Sequence, residues 1–258
     1  MKRFCYRCGA LEAEHGPLIK ELCQRCFAEE NRLIRAPAEL EVMVCGRCGA
    51  HLIGKRWYQA GEGEPIMEAA RATTLSVIRV AQLSPVGMKL LRPEEAPKVA
   101  LSVQPKLEER VIEVRASGKI HELQVEPQTD EARIRFELKR RTCDVCGLKS
   151  GRKHEAVLQV RGELTGEKRS EVRVTLERIA TEARRRERAA FISKVEERLE
   201  GLDFYVNPAS LARRMARVLK SKFGAGVKES RKLVGQTRDG RKKYRLTISA
   251  RIPSKAGY

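Results

Sequence analysis

All eight cysteines of the chain fall in Cys-x-x-Cys pairs: Cys5/Cys8, Cys23/Cys26, Cys45/Cys48 and Cys143/Cys146. A two-residue spacer turns both sulfurs of a pair toward one centre, so eight thiolates in four pairs match two tetrahedral zinc ions, each held by four sulfurs. Glycine follows three of the pairs, at Gly9, Gly49 and Gly147, where a tight turn favours a residue that tolerates positive φ. Four sulfur ligands close the coordination sphere and leave no position for water or substrate, which points to structural rather than catalytic metal.

Other uses of the pairs fit less well. The opening Met-Lys-Arg-Phe-Cys reads as no secretory leader, which argues against a disulfide framework. A thioredoxin-type redox centre would need one pair and would leave three unexplained. Cys5, Cys8, Cys23 and Cys26, separated by the short loop 9–22, are expected to share the first ion. Cys45 and Cys48 are then expected to meet Cys143 and Cys146 across about a hundred residues, a clamp between an N-terminal docking module and the segment leading into the next domain. Spacing alone leaves an interleaved grouping open. His15 and His154 lie near the pairs and could each replace a sulfur; His51 follows the third pair and could touch RNA or a sulfur.

These residues need elements to position them, and the fold class expected is α+β. Residues 1–60 read as a zinc-ribbon or treble-clef-like module with little core of its own, with a helix from Cys26 to Arg35 ended by Ala36-Pro37. Residues 61–142 read as a β-rich segment. After a linker at 61–65 and a helix over 66–72, apolar residues alternate with period two at Val99, Leu101 and Val103, through 111–116, at Leu123 and Val125, and at Ile134, Phe136 and Leu138. Turns are expected at 117–119 and 128–131, giving a small antiparallel sheet whose last strand runs into Cys143. Residues 143–258 read as a basic α+β domain: strand 155–161, helix 166–188, strand 202–206, and a helix capped by Asn207 with Pro208 at its first position and ended by Gly224. A hairpin over 226–252 turns at Asp239-Gly240.

Charge indicates a partner. The chain of 258 residues carries a net charge of +19, and residues 152–258 hold 28 Lys+Arg against 13 Asp+Glu. Such an excess favours a polyanion, because each phosphate neutralised releases condensed counterions. Candidate nucleic-acid contacts are Arg213, Arg214, Arg217 and Lys220 on the polar face of the last helix, Arg238, Arg241, Lys242 and Lys243 at the hairpin tip, and Lys55 and Arg56 beside Trp57 and Tyr58. Those two rings could stack on a base, but the favoured reading is that they cap the zinc module as core. No apolar run of membrane-spanning length occurs. No phosphate-binding glycine loop, Gly-x-Ser-x-Gly or His-Glu-x-x-His is present, so binding without turnover is the expectation. Alternatives are a zinc-ribbon DNA-binding regulator and an RNA-processing enzyme.

The four cysteine pairs, Cys143-Asp-Val-Cys-Gly147, Glu155-Ala-Val-Leu-Gln-Val-Arg161, Gly201-Leu-Asp-Phe-Tyr-Val206 and Leu211-Ala-Arg-Arg214 together resemble the archaeal and eukaryotic family of the 60S ribosomal export adaptor, the NMD (nonsense-mediated decay) family. The resemblance covers nearly the whole chain. It implies a non-enzymatic, cytoplasmic, monomeric protein that binds rRNA and ribosomal proteins at the subunit-joining face of the large ribosomal subunit, in assembly, quality control or subunit anti-association. The chain stops at Tyr258 without the further domain and leucine-rich export tail of eukaryotic members, so an archaeal-type member is expected.

Overall fold

The computed structural model describes residues 3–236 and 239–254 and divides into two compact units, Met1–Thr142 and Cys143–Tyr258. The first contains α1 (Glu12–His15), α2 (Gln24–Glu30), β1 (Ile34–Arg35), β2 (Glu39–Cys45), β3 (His51–Ile53), β4 (Arg56–Tyr58), α3 (Pro65–Val77), β5 (Arg79–Ser84), β6 (Gly87–Leu91), β7 (Ala100–Lys106), β8 (Val111–Gly118) and β9 (Gln128–Arg141). The second contains α4 (Asp144–Ser150), β10 (Ala156–Gly162), α5 (Gly166–Arg186), β11 (Phe191–Arg198), β12 (Gly201–Asn207), α6 (Ala209–Phe223), β13 (Gly226–Gln236) and β14 (Lys242–Ile252). The fold is α+β, as its sequence pattern implies.

In the first unit, six strands form one sheet in the order β4-β3-β2-β9-β8-β7. Its neighbours are antiparallel except β2 and β9, which run parallel with Cys45 beside Arg141. One face of the alternation is apolar: Val42, Val44, Ile112, Val114, Ile134 and Phe136 enter a core that also holds Phe27, Leu33, Ile78 and three of the cysteines, Cys5, Cys23 and Cys26. The other face carries ion pairs such as Lys106–Glu113 and Arg115–Glu131. Asp130, on β9 and buried, accepts the Leu33 amide at 2.5 Å and the Ile34 amide at 3.4 Å, which fixes the chain where it leaves α2.

Three local expectations differ from the structure. The helix expected over 26–35 begins at Gln24 and ends at Glu30, and Ile34–Arg35 pairs as a strand with β5. Before Val99 the sequence pattern gives no strand, yet β5 and β6 form a hairpin with Pro85 in its turn, where no ladder amide is needed. Leu123 and Val125 alternate but lie outside any strand, 48% and 60% exposed, with no face to bury; Gln24 takes the Leu123 carbonyl and the Val125 amide instead. β9 accordingly begins at Gln128, where a turn is expected.

In the second unit the sheet order is β11-β12-β10-β14-β13, antiparallel except for the β10–β14 pair. α5 and α6 pack on one face through Val172, Leu176 and Ile179 and through Leu211, Met215 and Leu219, against Leu158, Phe204 and Ile248. α6 ends at Gly224 in the left-handed conformation. Its start differs from expectation: Pro208 is the N-cap, the Glu155 carboxylate accepts the Ala209 amide at 3.1 Å, and the Asn207 side-chain amide donates to the Ala189 carbonyl at 2.8 Å.

Two of the stretches that carry the family resemblance, 155–161 and 201–206, meet inside this sheet. Arg161 on β10 lies 2.6 Å from Asp203 on β12, both largely buried, and Arg198 donates to the other oxygen of the same carboxylate at 2.8 Å. The Arg161 contact is an ion pair rather than an aligned hydrogen bond. Leu-Gln-Val-Arg161 and Leu202-Asp-Phe are thus a structural lock. Beside it, Gly201 has φ +150° and an added Cβ would lie 1.9 Å from the Val160 carbonyl oxygen. Gly201→Ala is therefore expected to destabilise the protein by more than about 3 kcal/mol in urea unfolding, since backbone rather than a flexible side chain blocks it.

Candidate metal centres and basic surfaces

The first and third cysteine pairs form the same local structure from the same residues. In Cys5-Tyr-Arg-Cys-Gly-Ala10 the Cys5 amide donates to the Ala10 carbonyl at 2.8 Å, and the Gly9 amide donates to the Cys5 carbonyl at 2.8 Å. In Cys45-Gly-Arg-Cys-Gly-Ala50 the equivalent bonds are 2.6 and 3.0 Å. Gly9 and Gly49, at φ +77° and +72°, close both turns in a conformation that L side chains adopt only with strain.

The second and fourth pairs open helices. Cys23 and Cys143 are the N-caps of α2 and α4 in matching extended conformations, φ −69°, ψ 164° and φ −71°, ψ 165°. The Phe27 and Gly147 amides, each four residues on, donate to the Cys23 and Cys143 carbonyls at 2.9 Å. The Cys146 amide points at the Cys143 sulfur at 3.4 Å, a donor for a thiolate. Each centre thus combines one glycine-closed knuckle with one helix start.

Chain geometry delivers each half to its partner. Cys23 arrives through a tight turn in which Ile19 and Leu22 exchange backbone bonds of 2.9 and 3.1 Å, while the Tyr6 amide of the first knuckle donates to the Glu21 carbonyl at 3.1 Å. Cys143 lies two residues past Arg141, the parallel neighbour of Cys45. The result is two groups, Cys5/Cys8/Cys23/Cys26 and Cys45/Cys48/Cys143/Cys146, in each of which the sulfurs lie within 4.8 Å of one another. The interleaved grouping does not occur. His15 and His154 belong to neither group, and His51 is buried in β3 with its ring 5.9 Å from that of Tyr58.

These sulfurs fit a metal ion. A tetrahedral zinc with Zn–S of about 2.3 Å has sulfur–sulfur edges of about 3.8 Å. Cys8 Sγ and Cys23 Sγ are 3.7 Å apart. In the first group the environment shifts Cys5 and Cys26 in opposite directions. Burial raises Cys5, but the amides of Cys23, Cys8 and Arg7 and the Cys8 thiol outweigh it and bring it down to about 6. Burial raises Cys26, and hydrogen bonds with Cys8, Cys23 and Cys5 push it further, to about 12. Four thiolates so close repel one another, so some keep their protons until a cation replaces them. Both groups could hold a metal ion.

The basic residues fall in different settings. Arg213 is held by Glu229, Nη2 to Oε1 at 2.9 Å, and Arg214 faces Glu182 at 3.5 Å. Arg217 and Lys220 are exposed and make no ion pair with a described residue. Arg241 and Lys242 are exposed at the start of β14, the backbone of Lys243 is paired with Gly235, and Arg238 lies outside the described residues. Lys55 and Arg56 are exposed beside half-buried Trp57, whereas Tyr58 is 42% exposed and covers His51 rather than entering a core. Among the described residues, no helix is long and apolar enough to cross a membrane.

Two family descriptions match consecutive parts of the chain: "NMD3, N-terminal domain" over residues 5–151 and "NMD3, second domain" over residues 153–252. The chain belongs to the NMD3 family. All eight cysteines lie in the NMD3 N-terminal domain, which extends past Cys146, and the five-stranded sheet with α5 and α6 is the NMD3 second domain. NMD3 is the 60S export adaptor family, so a ribosome-related adaptor role applies to the chain at that level. No curated protein matches the chain.

Two sets of substitutions test the centres. Cys5→Ser and Cys143→Ser are each expected to lower metal content by about one ion per chain, measured by elemental analysis of the purified protein; unchanged content in both would remove the ligand assignment. Gly9 has open space around an added Cβ, whereas at Gly49 it would meet Pro65 at 2.9 Å. Gly9→Ala should therefore cost about 1 kcal/mol from backbone strain and Gly49→Ala about 2–3 kcal/mol in chemical unfolding.

Proposed function

We propose that this protein is a non-enzymatic adaptor that binds the large ribosomal subunit in the cytoplasm, as a monomer, through rRNA and ribosomal proteins at the subunit-joining face. Each chain carries two structural zinc ions, one on Cys5, Cys8, Cys23 and Cys26 and one on Cys45, Cys48, Cys143 and Cys146. The observation that carries the reading is the pair of NMD3 domain matches, which together run from residue 5 to residue 252. Charge supports it: residues 152–258 carry 28 Lys+Arg against 13 Asp+Glu, suited to a phosphate-rich surface. The closed sulfur coordination supports a binding rather than a catalytic role, since it would leave the metal no site for a reacting group.

Zinc in these groups supplies folding free energy and ties each knuckle to its helix start, adding to a core that already buries Leu18, Ile19, Leu22 and Phe27 around the first group. The protein residues do the rest: the knuckle glycines set the turns, backbone amides stabilise the thiolates, and the second domain presents its cations from a well-packed sheet. Sedimentation of the protein with purified large and small subunits tests the reading. Co-sedimentation with large subunits alone is expected, weakening steeply between about 50 and 200 mM salt. Equal binding to both subunits, or none at low salt, would refute it.

A further inference from the structure

The five-stranded sheet of the second domain has α5 and α6 on one face and divides its charges unevenly on the other. Toward β11 and β12 the cations are matched: Lys194 pairs with Glu196, Arg198 with Glu196 and Asp203, and Arg161 with Asp203. Toward β13 and β14 they are not. Lys228, Lys232, Arg245 and Arg251 are all exposed, and none makes an ion pair with a described residue.

Register places these four on one face. Arg245, Thr247 and Arg251 alternate with Leu246, Ile248 and Ala250, which are buried under the helices. Lys232 pairs with Arg245 and Ser230 with Thr247, while Glu229, opposite buried Ile248, points to the helix side, where it takes Arg213. Lys232 and Arg245 are therefore like charges directly opposite in an antiparallel pair, an arrangement that destabilises a sheet. The strip runs about 20 Å along β14, from Arg245 to Arg251. Its composition matches phosphate: cations with the hydroxyls of Ser230 and Thr247 between them, and no large apolar side chain from 228–232 or 245–251 on that face. A protein partner would want an apolar or aromatic anchor there, whereas Arg, Lys, Ser and Thr are the side chains that hold nucleic-acid backbones.

We propose that the open face of β13 and β14, centred on Lys228, Lys232, Arg245 and Arg251, binds the phosphodiester backbone of RNA. The helix face is the lesser contributor, since Glu229 and Glu182 already occupy Arg213 and Arg214. The bound phosphates relieve the repulsion between Lys232 and Arg245. In the cell the RNA is large-subunit rRNA, an identification that rests on the proposed function above.

The test compares the full-length protein with its K228Q/K232Q/R245Q/R251Q variant on three probes: purified large subunits, protein-free large-subunit rRNA and poly(U). The slope of log affinity against log salt is expected to become shallower by about 3 on all three, from about 0.7–0.9 per cation removed. The thermal midpoint should not fall, because the substitutions remove like-charge repulsion. Should it fall, the K228Q/R251Q variant carries the test, with an expected change of about 1.5 in slope. An unchanged slope on all three probes would overturn the proposal. So would a loss on subunits with none on protein-free rRNA, which would assign the strip to an acidic protein surface. If the unmodified protein binds poly(U) with the expected contrast but does not bind large subunits, the proposed function fails and the RNA-binding strip stands.

Discussion

Four thiolates within 4.8 Å of one another cannot share that space as anions without a cation at the centre. Much of the N-terminal domain depends on meeting this constraint twice. Each centre takes a knuckle from one stretch of chain and a helix start from another, so an ion held there would tie the two segments together. At the first centre the connection is direct, since Cys5, Cys23 and Cys26 belong to the same core as Phe27, Leu33 and the sheet residues Val42 and Ile134. At the second it runs through the parallel pairing of β2 and β9, which sets Cys45 beside Arg141, two residues before Cys143 in the chain.

In the second domain basic residues of the same types are matched with carboxylates in one place and make no ion pair with a described residue in another. Arg161, Arg198 and Asp203 form a largely buried ion group, in which removing one partner would leave an uncompensated charge. Arg213 and Glu229 link α6 to β13 at the surface. Both use basic residues for packing. On the open face of β13 and β14 Lys228, Lys232, Arg245 and Arg251 make no ion pair with a described residue, and two sit opposite each other at a cost to the sheet. Distribution of partners, rather than net charge, separates structural cations from those free to meet a polyanion.

Much of this was legible in the sequence, and the reasons are local. Cys-x-x-Cys pairs with a following glycine specify their own geometry. Helix α5, helix α6 with its glycine stop and the Asp239-Gly240 hairpin have strong periodicity and strong end signals. What escaped depends on distant partners. β11, Phe-Ile-Ser-Lys-Val-Glu-Glu-Arg198, lacks clean alternation because its register against β12 shifts between Ile192 and Lys194, so that Ile192 and Val195, three residues apart, both pack on the helix-side core. β2 makes its parallel contact with a strand some ninety residues away, which no short window can reveal. The basic face of α6 was visible from its helical period, but Glu182 and Glu229, which occupy two of its arginines, come from other elements. The cationic face of β13 and β14 needed the register of both strands to be known. The repeated Cys-x-Arg-Cys-Gly-Ala string was in plain view and signals that the first and third pairs play equivalent parts.

The most direct measurement is an electron cryo-microscopy map of this protein bound to purified large ribosomal subunits. The expected density places the protein at the subunit-joining face, with compact metal density inside both cysteine groups and Lys228, Lys232, Arg245 and Arg251 against rRNA phosphates. Density away from that face, or with the β13–β14 surface turned to solvent, would contradict it.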